Sequence, residues 1–205
     1  MSRARVWLAS TSPRRQAVLR QLGIAFEVLA PQVDEEAIGA ATPEQLALAR
    51  ARAKARDAAR RVDEGFVIGA DTVVALDGEV LGKPSDAAEA VRMLERLSGR
   101  RHTVVTGVCI VRRPDGREHA YTERSEVEFT ALDRATAAAY AATGEPLDKA
   151  GAYAVQGLGA AFVRRIEGSF YAVVGLPAAS LVEALREMGW TGFLADAARA
   201  GARGR

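Results

Sequence analysis

The sequence predicts a protein of the α/β class, because two kinds of segment follow one another along the chain. Short apolar runs rich in β-branched residues, such as residues 66–70 and 104–111, are typical of buried strands. Segments that open with a capping residue and then repeat apolar residues about every three or four positions are typical of helices. The chain shows no internal repeat, so we expect a globular domain rather than a repeat array.

Length and composition narrow the class further. A chain of 205 residues fits one domain with a sizeable core, and 49% hydrophobic with 26% charged residues is typical of a soluble globular protein. The net charge of +2 and the 6% aromatic content disfavour a nucleic-acid partner. The single cysteine, Cys109, suits a reducing compartment, and its apolar surroundings predict a buried side chain. We expect no signal peptide and no membrane-spanning segment.

The central stretch from Phe66 to Pro84 predicts two strands joined by a tight turn. Asp77-Gly78 is a hairpin signal, since both central positions of such a turn favour a positive φ. Two charged residues, Asp71 in the first strand and Lys83 after the second, interrupt this apolar hairpin. A buried carboxylate is costly unless it is paired or binds a metal, so Asp71 is either a functional group or part of a structural ion pair.

The strand predicted at residues 6–9 leads into a helix whose first turn is unusual. Ser12 is a good N-cap, and Pro13 suits the first helical position. Arg14 and Arg15 then place two positive charges at the positive end of the helix dipole, which disfavours the helix. This arrangement predicts a phosphate-binding site, unless both guanidinium groups simply point into water.

Further segments complete the first half of the chain. A short strand is predicted at residues 26–30, and the acidic segment 31–36, which contains Glu35, is either a solvated loop or part of a site. A long helix is predicted from Thr42 to about Arg61, because its first residues, TPEQ, form a capping box. Lys54 lies in this helix, and most of the helix's basic residues are expected to face solvent.

In the second half of the chain, predicted helices and strands continue to alternate up to about Gly189. Helices are predicted after Ser85 or Asp86, after Asp133 and after Pro177, and strands are predicted at 102–111, 121–129, 162–166 and 171–174. A glycine-rich loop at residues 146–159 carries Asp148, Lys149 and Gln156. Glycine lets a backbone approach a ligand closely, although the same composition is typical of a flexible connection.

Together these motifs are typical of a site that acts on a polyphosphate. Carboxylates can hold a divalent cation and activate water, while arginine and lysine side chains neutralise phosphate charge. The site is not a P-loop, because the glycines and the Gly-Lys-Ser/Thr ending of that motif are missing.

The chain resembles the Maf family of nucleoside triphosphate pyrophosphatases in several motifs that follow the family's order. They are LASTSPRRQAVLRQLG, IGADTVVALDGEVLGKP, PLDKAGAYAVQGLG and GSFYAVVGLP. The resemblance implies an elongated α/β fold of the Maf/ITPase-like type, with a twisted mixed sheet flanked by helices and a central cleft between two lobes. This domain would span residues 1–189, followed by an Ala-, Gly- and Arg-rich tail at 190–205.

The resemblance also implies an activity. Relatives cleave a nucleoside triphosphate between the α- and β-phosphates, and they need a divalent metal, for which Mg²⁺ or Mn²⁺ is expected. They act on a small-molecule nucleotide, lie in the cytoplasm and are often homodimers. We expect the same of this protein.

Catalytic and binding roles follow from the motif positions. Asp71 matches the family's proton acceptor, Lys83 and Glu35 are expected to assist catalysis, and Glu35 and Asp71 would hold the metal. The other positions expected to bind substrate are Ser12, Arg14, Arg15, Lys54, Thr72, Asp148, Lys149 and Gln156. Ala53 stands where relatives often carry an acidic residue, so Lys54 is expected to lack a local partner.

The combination of Arg14, Thr72 and Gln156 resembles the branch of the family that acts on dTTP and UTP. The amide of Gln156 offers both an acceptor and donors, so it could read the N3–H group of uracil or thymine together with a neighbouring carbonyl. Alternatively, Gln156 is an ordinary loop residue bonded to backbone.

Three other functions stay open at this point. The first is a pyrophosphatase for 7-methyl-GTP, whose branch differs at the three positions just named. The second is a pyrophosphatase for deaminated purine triphosphates, although those relatives lack the Ser-Pro-Arg-Arg motif. The third is a nucleotide-binding regulator of septum formation, which would need neither Asp71 nor the acidic loop.

Overall fold

A computed structural model describes residues 4–192 of the chain. Its strands are β1 Val6–Leu8, β2 Glu27–Val28, β3 Gly65–Leu76, β4 Glu79–Leu81, β5 Arg101–Arg113, β6 Glu118–Phe129 and β7 Val163–Glu167. Its helices are α1 Pro13–Gln21, α2 Pro43–Ala59, α3 Ala87–Leu97, α4 Arg134–Ala142, α5 Phe170–Val174 and α6 Ala178–Glu187, with 3₁₀ turns at Ala150–Ala152 and Leu158–Phe162. The predicted division into a domain and a tail stays a prediction, since most of the tail lies outside the described residues.

The strands form one mixed sheet in the order β2-β1-β3-β5-β6-β7, with β4 paired to β3. β1 is parallel to β2 and β3, whereas β3, β5, β6 and β7 are antiparallel in succession. The predicted hairpin turn is confirmed, because Asp77 has a φ of 52° and Gly78 a φ of 84°. The mixed sheet with its flanking helices confirms the predicted α/β class.

Helix α2 packs unusually close to one face of the sheet. Its buried side is a stripe of alanines at residues 47, 51, 55, 58 and 59. The sheet meets this stripe with glycines, since a Cβ on Gly69 would lie 2.4 Å from the carbonyl oxygen of Ala51. A Cβ on Gly107 would lie equally close, at 2.4 Å, to that of Ala47. Small residues on both sides therefore bring the α2 backbone against β3 and β5.

The opposite face of the sheet carries the larger apolar core. Side chains alternate along β3, so Ile68 and Ala70 point into this core whereas Val67 packs toward α2. Residues of α1, α3, α4 and α6 complete the core, including Leu19, Leu94, Ala137 and Leu185. β3 is thus buried on both faces, as its continuous apolar sequence predicts.

One stretch of the β3 edge lacks a strand neighbour. β1 pairs with residues 66–68 of β3, and β4 pairs with residues 74–76. Among the residues that the structure describes, no strand pairs with 69–73 on this edge. Asp71 and Thr72 lie in the gap, on opposite faces of the strand, so both can reach a common space beside the sheet edge.

The prediction of a strand at residues 171–174 is wrong. The segment is helix α5, whose N-cap Ser169 accepts a hydrogen bond from the backbone nitrogen of Ala172, 3.1 Å away. Gly175, with a φ of 120°, follows the helix. The capping residues and the contacts of Ala172, which is buried, outweigh the strand propensity of the aromatic and β-branched residues. None of the helices within residues 4–192 is long and apolar enough to cross a membrane.

Candidate active site

A cleft of about 310 Å³ opens beside the gap in the β3 edge, and its volume suits a small-molecule ligand. It also lies beyond the C-terminal end of β1, where ligands commonly bind in sheets with parallel strands. Every predicted site residue except Gln156 lines it: Ser12, Arg14, Arg15, Glu35, Lys54, Asp71, Thr72, Lys83, Asp148 and Lys149. Segments far apart in the sequence therefore meet here.

Lys54 links two carboxylates at the centre of the cleft. Its Nζ lies 2.7 Å from Asp71 Oδ1 and 2.7 Å from Glu35 Oε2. Neither partner is local in the sequence, since the two carboxylates lie on other segments of the chain. Lys54 is an exception to the expected exposure of the helix's basic residues, because only 4% of the residue is accessible. Its helix carries it on the buried alanine stripe, one turn from Ala51 and Ala58, so the ammonium group faces the sheet.

Asp71 forms a structural ion pair, one of the two roles that the sequence left open, and also keeps one oxygen without a donor. One oxygen forms the buried ion pair with Lys54, whereas the other, Oδ2, is buried without a hydrogen-bond partner. Arg50 Nη1 lies 3.9 Å from Oδ2. Arg50 also donates from Nε to the backbone oxygen of Glu35, at 3.0 Å, and so ties the acidic loop to α2. A buried carboxylate oxygen without a donor can accept a proton or bind a cation.

The surrounding cations keep Glu35 ionised. Partial burial raises the pKa of Glu35, but the hydrogen bond from Lys54 and the charges of Lys54, Lys83 and Arg15 lower it, and the net pKa lies below its ordinary value. Its carboxylate is therefore charged throughout the neutral range.

The two carboxylates fit a divalent cation that also binds substrate. Within residues 4–192, no cluster of three or more acidic, histidine or cysteine side chains could hold a metal by itself. Mg²⁺, however, is commonly held by one or two carboxylates together with substrate phosphates. Asp71 Oδ2 lacks a donor, and the Glu35 side chain is 42% exposed to the cleft, so both can offer oxygen to such a cation.

The N-terminus of α1 contributes two arginines that behave differently. Ser12 caps the helix, as predicted, and Arg15 turns inward. Arg15 donates to the backbone oxygen of Gly175 at 2.9 Å, to Ser10 Oγ at 3.1 Å and to Thr72 Oγ1 at 3.4 Å. Burial lowers the pKa of Arg15, and the charge of Asp71 opposes this effect. The guanidinium group of Arg15 therefore does not point into water, and it is part of the structural frame of the cleft.

Arg14 and Lys83 are the cations that remain available to a ligand. Both line the cleft, and within the described part of the chain neither forms a hydrogen bond or an ion pair. Lys54 and Arg15, by contrast, are bonded to protein groups. An incoming phosphate would meet Arg14 and Lys83 without first breaking an internal bond.

The glycine-rich loop is held in place by Glu145. Its Oε1 accepts from Tyr140 Oη at 2.8 Å and from the backbone nitrogen of Gly159 at 3.0 Å, and its Oε2 accepts from that of Leu158 at 3.1 Å. Burial raises the pKa of Glu145, but these bonds lower it below its ordinary value. One carboxylate thus joins the start of the loop to its end.

Within this loop, Asp148 and Lys149 pair with each other and line the cleft. Gln156 is exposed and does not line it, although its neighbour Val155 does. The proposed reading of the base by Gln156 stays a prediction. The apolar lining of the cleft includes Val155 together with Val74, Val104, Tyr153, Ala154, Val173 and Val174.

Sequence reasoning missed several residues of the site. Arg50 lies one helical turn before Lys54, and this spacing could have placed it beside Lys54 once the buried stripe was known. Ser10 and Glu145 carry no signal in the sequence, because their bonds join segments distant in the chain or depend on a loop conformation. The predicted burial of Cys109 is confirmed, and this burial raises the pKa of its thiol to about 12.

The α/β sheet and its cleft define a small-molecule site with two functions in one space. Its lining contains carboxylates and cations without internal partners, which suit a phosphorylated group. It also contains apolar side chains, which suit a flat ring.

Comparison with known proteins identifies the family to which the chain belongs. A family model for Maf-like proteins matches residues 5–188, so the chain belongs to the Maf-like protein family. A dTTP/UTP pyrophosphatase of Carboxydothermus hydrogenoformans is 47% identical over 186 residues, which cover 91% of this chain and 100% of that protein. Proteins of the same name from Symbiobacterium thermophilum and Thermococcus gammatolerans are each 50% identical, covering 93% and 89% of this chain and 97% and 96% of their own lengths.

Proposed function

We propose that this protein hydrolyses dTTP and UTP to the nucleoside monophosphate and pyrophosphate. The observation that carries the proposal is the cleft, whose lining combines a buried carboxylate that has one oxygen without a hydrogen-bond donor with two cations that lack internal partners in the described residues. Support comes from relatives named dTTP/UTP pyrophosphatase, which are similar to this chain over most of its length.

The residues divide the work by their contacts. Arg14 and Lys83 neutralise the phosphate chain, since both line the cleft without an internal partner in the described residues. Asp71 Oδ2 accepts the proton of the attacking water, and Lys54 holds the carboxylate in position through Oδ1. The apolar part of the lining around Val74 and Val104 binds the base.

A divalent cation, Mg²⁺ or Mn²⁺, is part of the proposal, and Glu35 and Asp71 would hold it. When bound, it would polarise the phosphoryl oxygen and neutralise charge on the leaving pyrophosphate. Excess chelator should abolish turnover and added Mg²⁺ or Mn²⁺ should restore it, whereas full turnover in chelator would remove the cation from the proposal.

A nucleotide panel with pyrophosphate detection tests the function. We expect release from dTTP and UTP, with little from GTP, and release slower by a factor on the order of 10² or more in the Asp71→Asn variant. Preference for 7-methyl-GTP or ITP would support the other pyrophosphatase activities instead. Tight nucleotide binding without any product would favour a regulator.

The cytoplasmic location and the homodimer remain part of the same proposal. Both rest on the resemblance to the family. Size-exclusion chromatography with light scattering would measure the mass in solution, and a monomer at micromolar concentration would contradict the dimer.

A further inference from the structure

The hydroxyl group of Thr72 donates its proton in a hydrogen bond to a buried residue rather than toward the cleft. Thr72 on β3 lies opposite Thr106 on β5, and their Oγ1 atoms are 2.9 Å apart. Thr106 is fully buried, and its Oγ1 lies 2.6 Å from the backbone oxygen of Ala172. A carbonyl oxygen only accepts, so the single hydroxyl proton of Thr106 is donated to Ala172.

This bond fixes the direction of the Thr72 bond as well. With its own proton directed at Ala172, Thr106 can only accept, so Thr72 must donate to it. If Thr72 turned its proton toward the cleft, two oxygen lone pairs would face each other at 2.9 Å in a buried place. The other group on Thr72 Oγ1 is Arg15, whose Nη2 donates to it from 3.4 Å. Toward the cleft, Thr72 therefore offers an acceptor and no donor.

Thr72 faces the part of the cleft that suits the base. Val74 lies two residues further along β3 and so on the same face, and Val104 is its partner on β5. These residues and Thr72 all line the cleft. Asp71 points to the opposite face of the strand, toward Lys54.

We propose that Thr106 is a positioning residue which makes Thr72 a pure hydrogen-bond acceptor, so that the site selects a base carrying N3–H and rejects cytosine. Uracil and thymine present N3–H between two carbonyl groups, and Arg15 places a donor beside the Thr72 acceptor. Cytosine presents an unprotonated N3, whose lone pair would face that of Thr72. This inference rests on the proposed function and adds the origin of its base selectivity.

The test compares kcat/KM for UTP, CTP and N3-methyl-UTP in the wild type and in matched variants. Thr106→Val removes the buried acceptor and frees the Thr72 proton, so the ratio of UTP to CTP should fall about tenfold, the effect of one hydrogen bond. Thr106→Ser keeps the hydroxyl and should keep the ratio. Thr103→Val is the control on the same strand, since Thr103 bonds to Glu126 and does not line the cleft.

The substrate analogue keeps the test decisive if Thr106→Val does not fold. In the wild type, kcat/KM for N3-methyl-UTP should be at least about tenfold lower than for UTP. The methyl group replaces the N3–H donor whose hydrogen bond Thr72 accepts. An unchanged UTP-to-CTP ratio in folded Thr106→Val, or equal use of N3-methyl-UTP and UTP, would overturn the inference while leaving the pyrophosphatase intact. A wild type that releases no pyrophosphate from UTP or dTTP would instead refute the proposed function.

Discussion

The strand side of the cleft, formed by β3 and α2, is built around buried charges. On the loop side, residues 145–156, the charged residues are partly or fully exposed, and apolar residues such as Tyr153 and Val155 pack into the core. On the strand side, Lys54 and Asp71 are 4% and 6% exposed and bonded to each other. On the loop side, Asp148 is exposed, and one carboxylate, Glu145, holds the segment together. The charged pair of the strand side is therefore fixed by the packing of the core, while the charged residues of the loop side are held by a few hydrogen bonds.

This difference predicts that changes on the two sides have different consequences. Damage to the strand side should affect the chemical step or the stability of the whole domain, because its groups are buried. Damage to the charged residues of the loop side should weaken substrate binding and leave the fold intact.

The largest effect is expected from Asp71→Asn on the strand side. The amide cannot accept a proton, so kcat should fall on the order of 10² or more while nucleotide binding survives. Steady-state kinetics and calorimetric binding of UTP measure the two quantities. Retained kcat would show that Asp71 is a structural carboxylate and nothing more.

Gly69→Ala tests the close approach that positions Lys54. The new methyl group would meet the carbonyl oxygen of Ala51 at 2.4 Å, so α2 must shift, and we expect a loss of about 2–3 kcal/mol in the free energy of unfolding. Gly39→Ala is the matched control, since nothing lies within 4 Å of its added Cβ. Equal stability of the two variants in urea would show that α2 has room to move.

Arg14→Ala and Lys83→Ala test the cations that lack internal partners. Each should raise KM for every accepted nucleotide by about ten- to a hundredfold, because a charge-assisted bond to phosphate carries no information about the base. Thermal stability should stay near that of the wild type. A loss confined to nucleotides with one base would show that the residue contacts the base rather than the phosphates.

Glu145→Gln tests the loop side. An amide nitrogen would face a backbone N–H group in either orientation, so KM for UTP should rise about tenfold while kcat changes by less than about twofold. Glu95→Gln, in an exposed ion pair with Arg134 outside the cleft lining, is the control. A fall in kcat as large as that of Asp71→Asn would erase the distinction between the two sides.

The smallest effect concerns His102, which supports the cleft through Tyr153. Its Nε2 lies 2.8 Å from Tyr153 Oη, and burial lowers the pKa of His102 to about 4. Below the ordinary histidine pKa of about 6.5 the unfolded chain binds a proton that the folded protein refuses until about pH 4, so stability falls as pH falls through this window.

Urea unfolding at two pH values measures this contribution. Between pH values of about 7.5 and 5.5, the wild type should lose about 1 kcal/mol more stability than His102→Gln, in which the group is absent. The comparison removes the effect of carboxylates that titrate in both proteins. Equal losses would show that His102 takes up its proton in the folded state.

Much of the fold follows from local patterns in the sequence. The β3–β4 turn needs positive φ at Asp77 and Gly78, and the sequence supplies residues that tolerate it. Caps at Ser12, Thr42 and Asp133 begin helices where predicted. The strand prediction for residues 171–174 failed because their β-branched and aromatic composition favours a strand, whereas a cap and tertiary contacts make the segment a helix.

The sequence by itself determined which residues gather in the cleft, because its motifs are specific: every predicted site residue but Gln156 lines it. Only the tertiary structure decided what each of them does there. Lys54 is buried and paired because alanines and glycines bring α2 against the sheet, and that approach depends on residues distant in the chain. The proton of Thr72 is likewise directed by Thr106 and Ala172, which lie 34 and about 100 positions away, so no local pattern could reveal it.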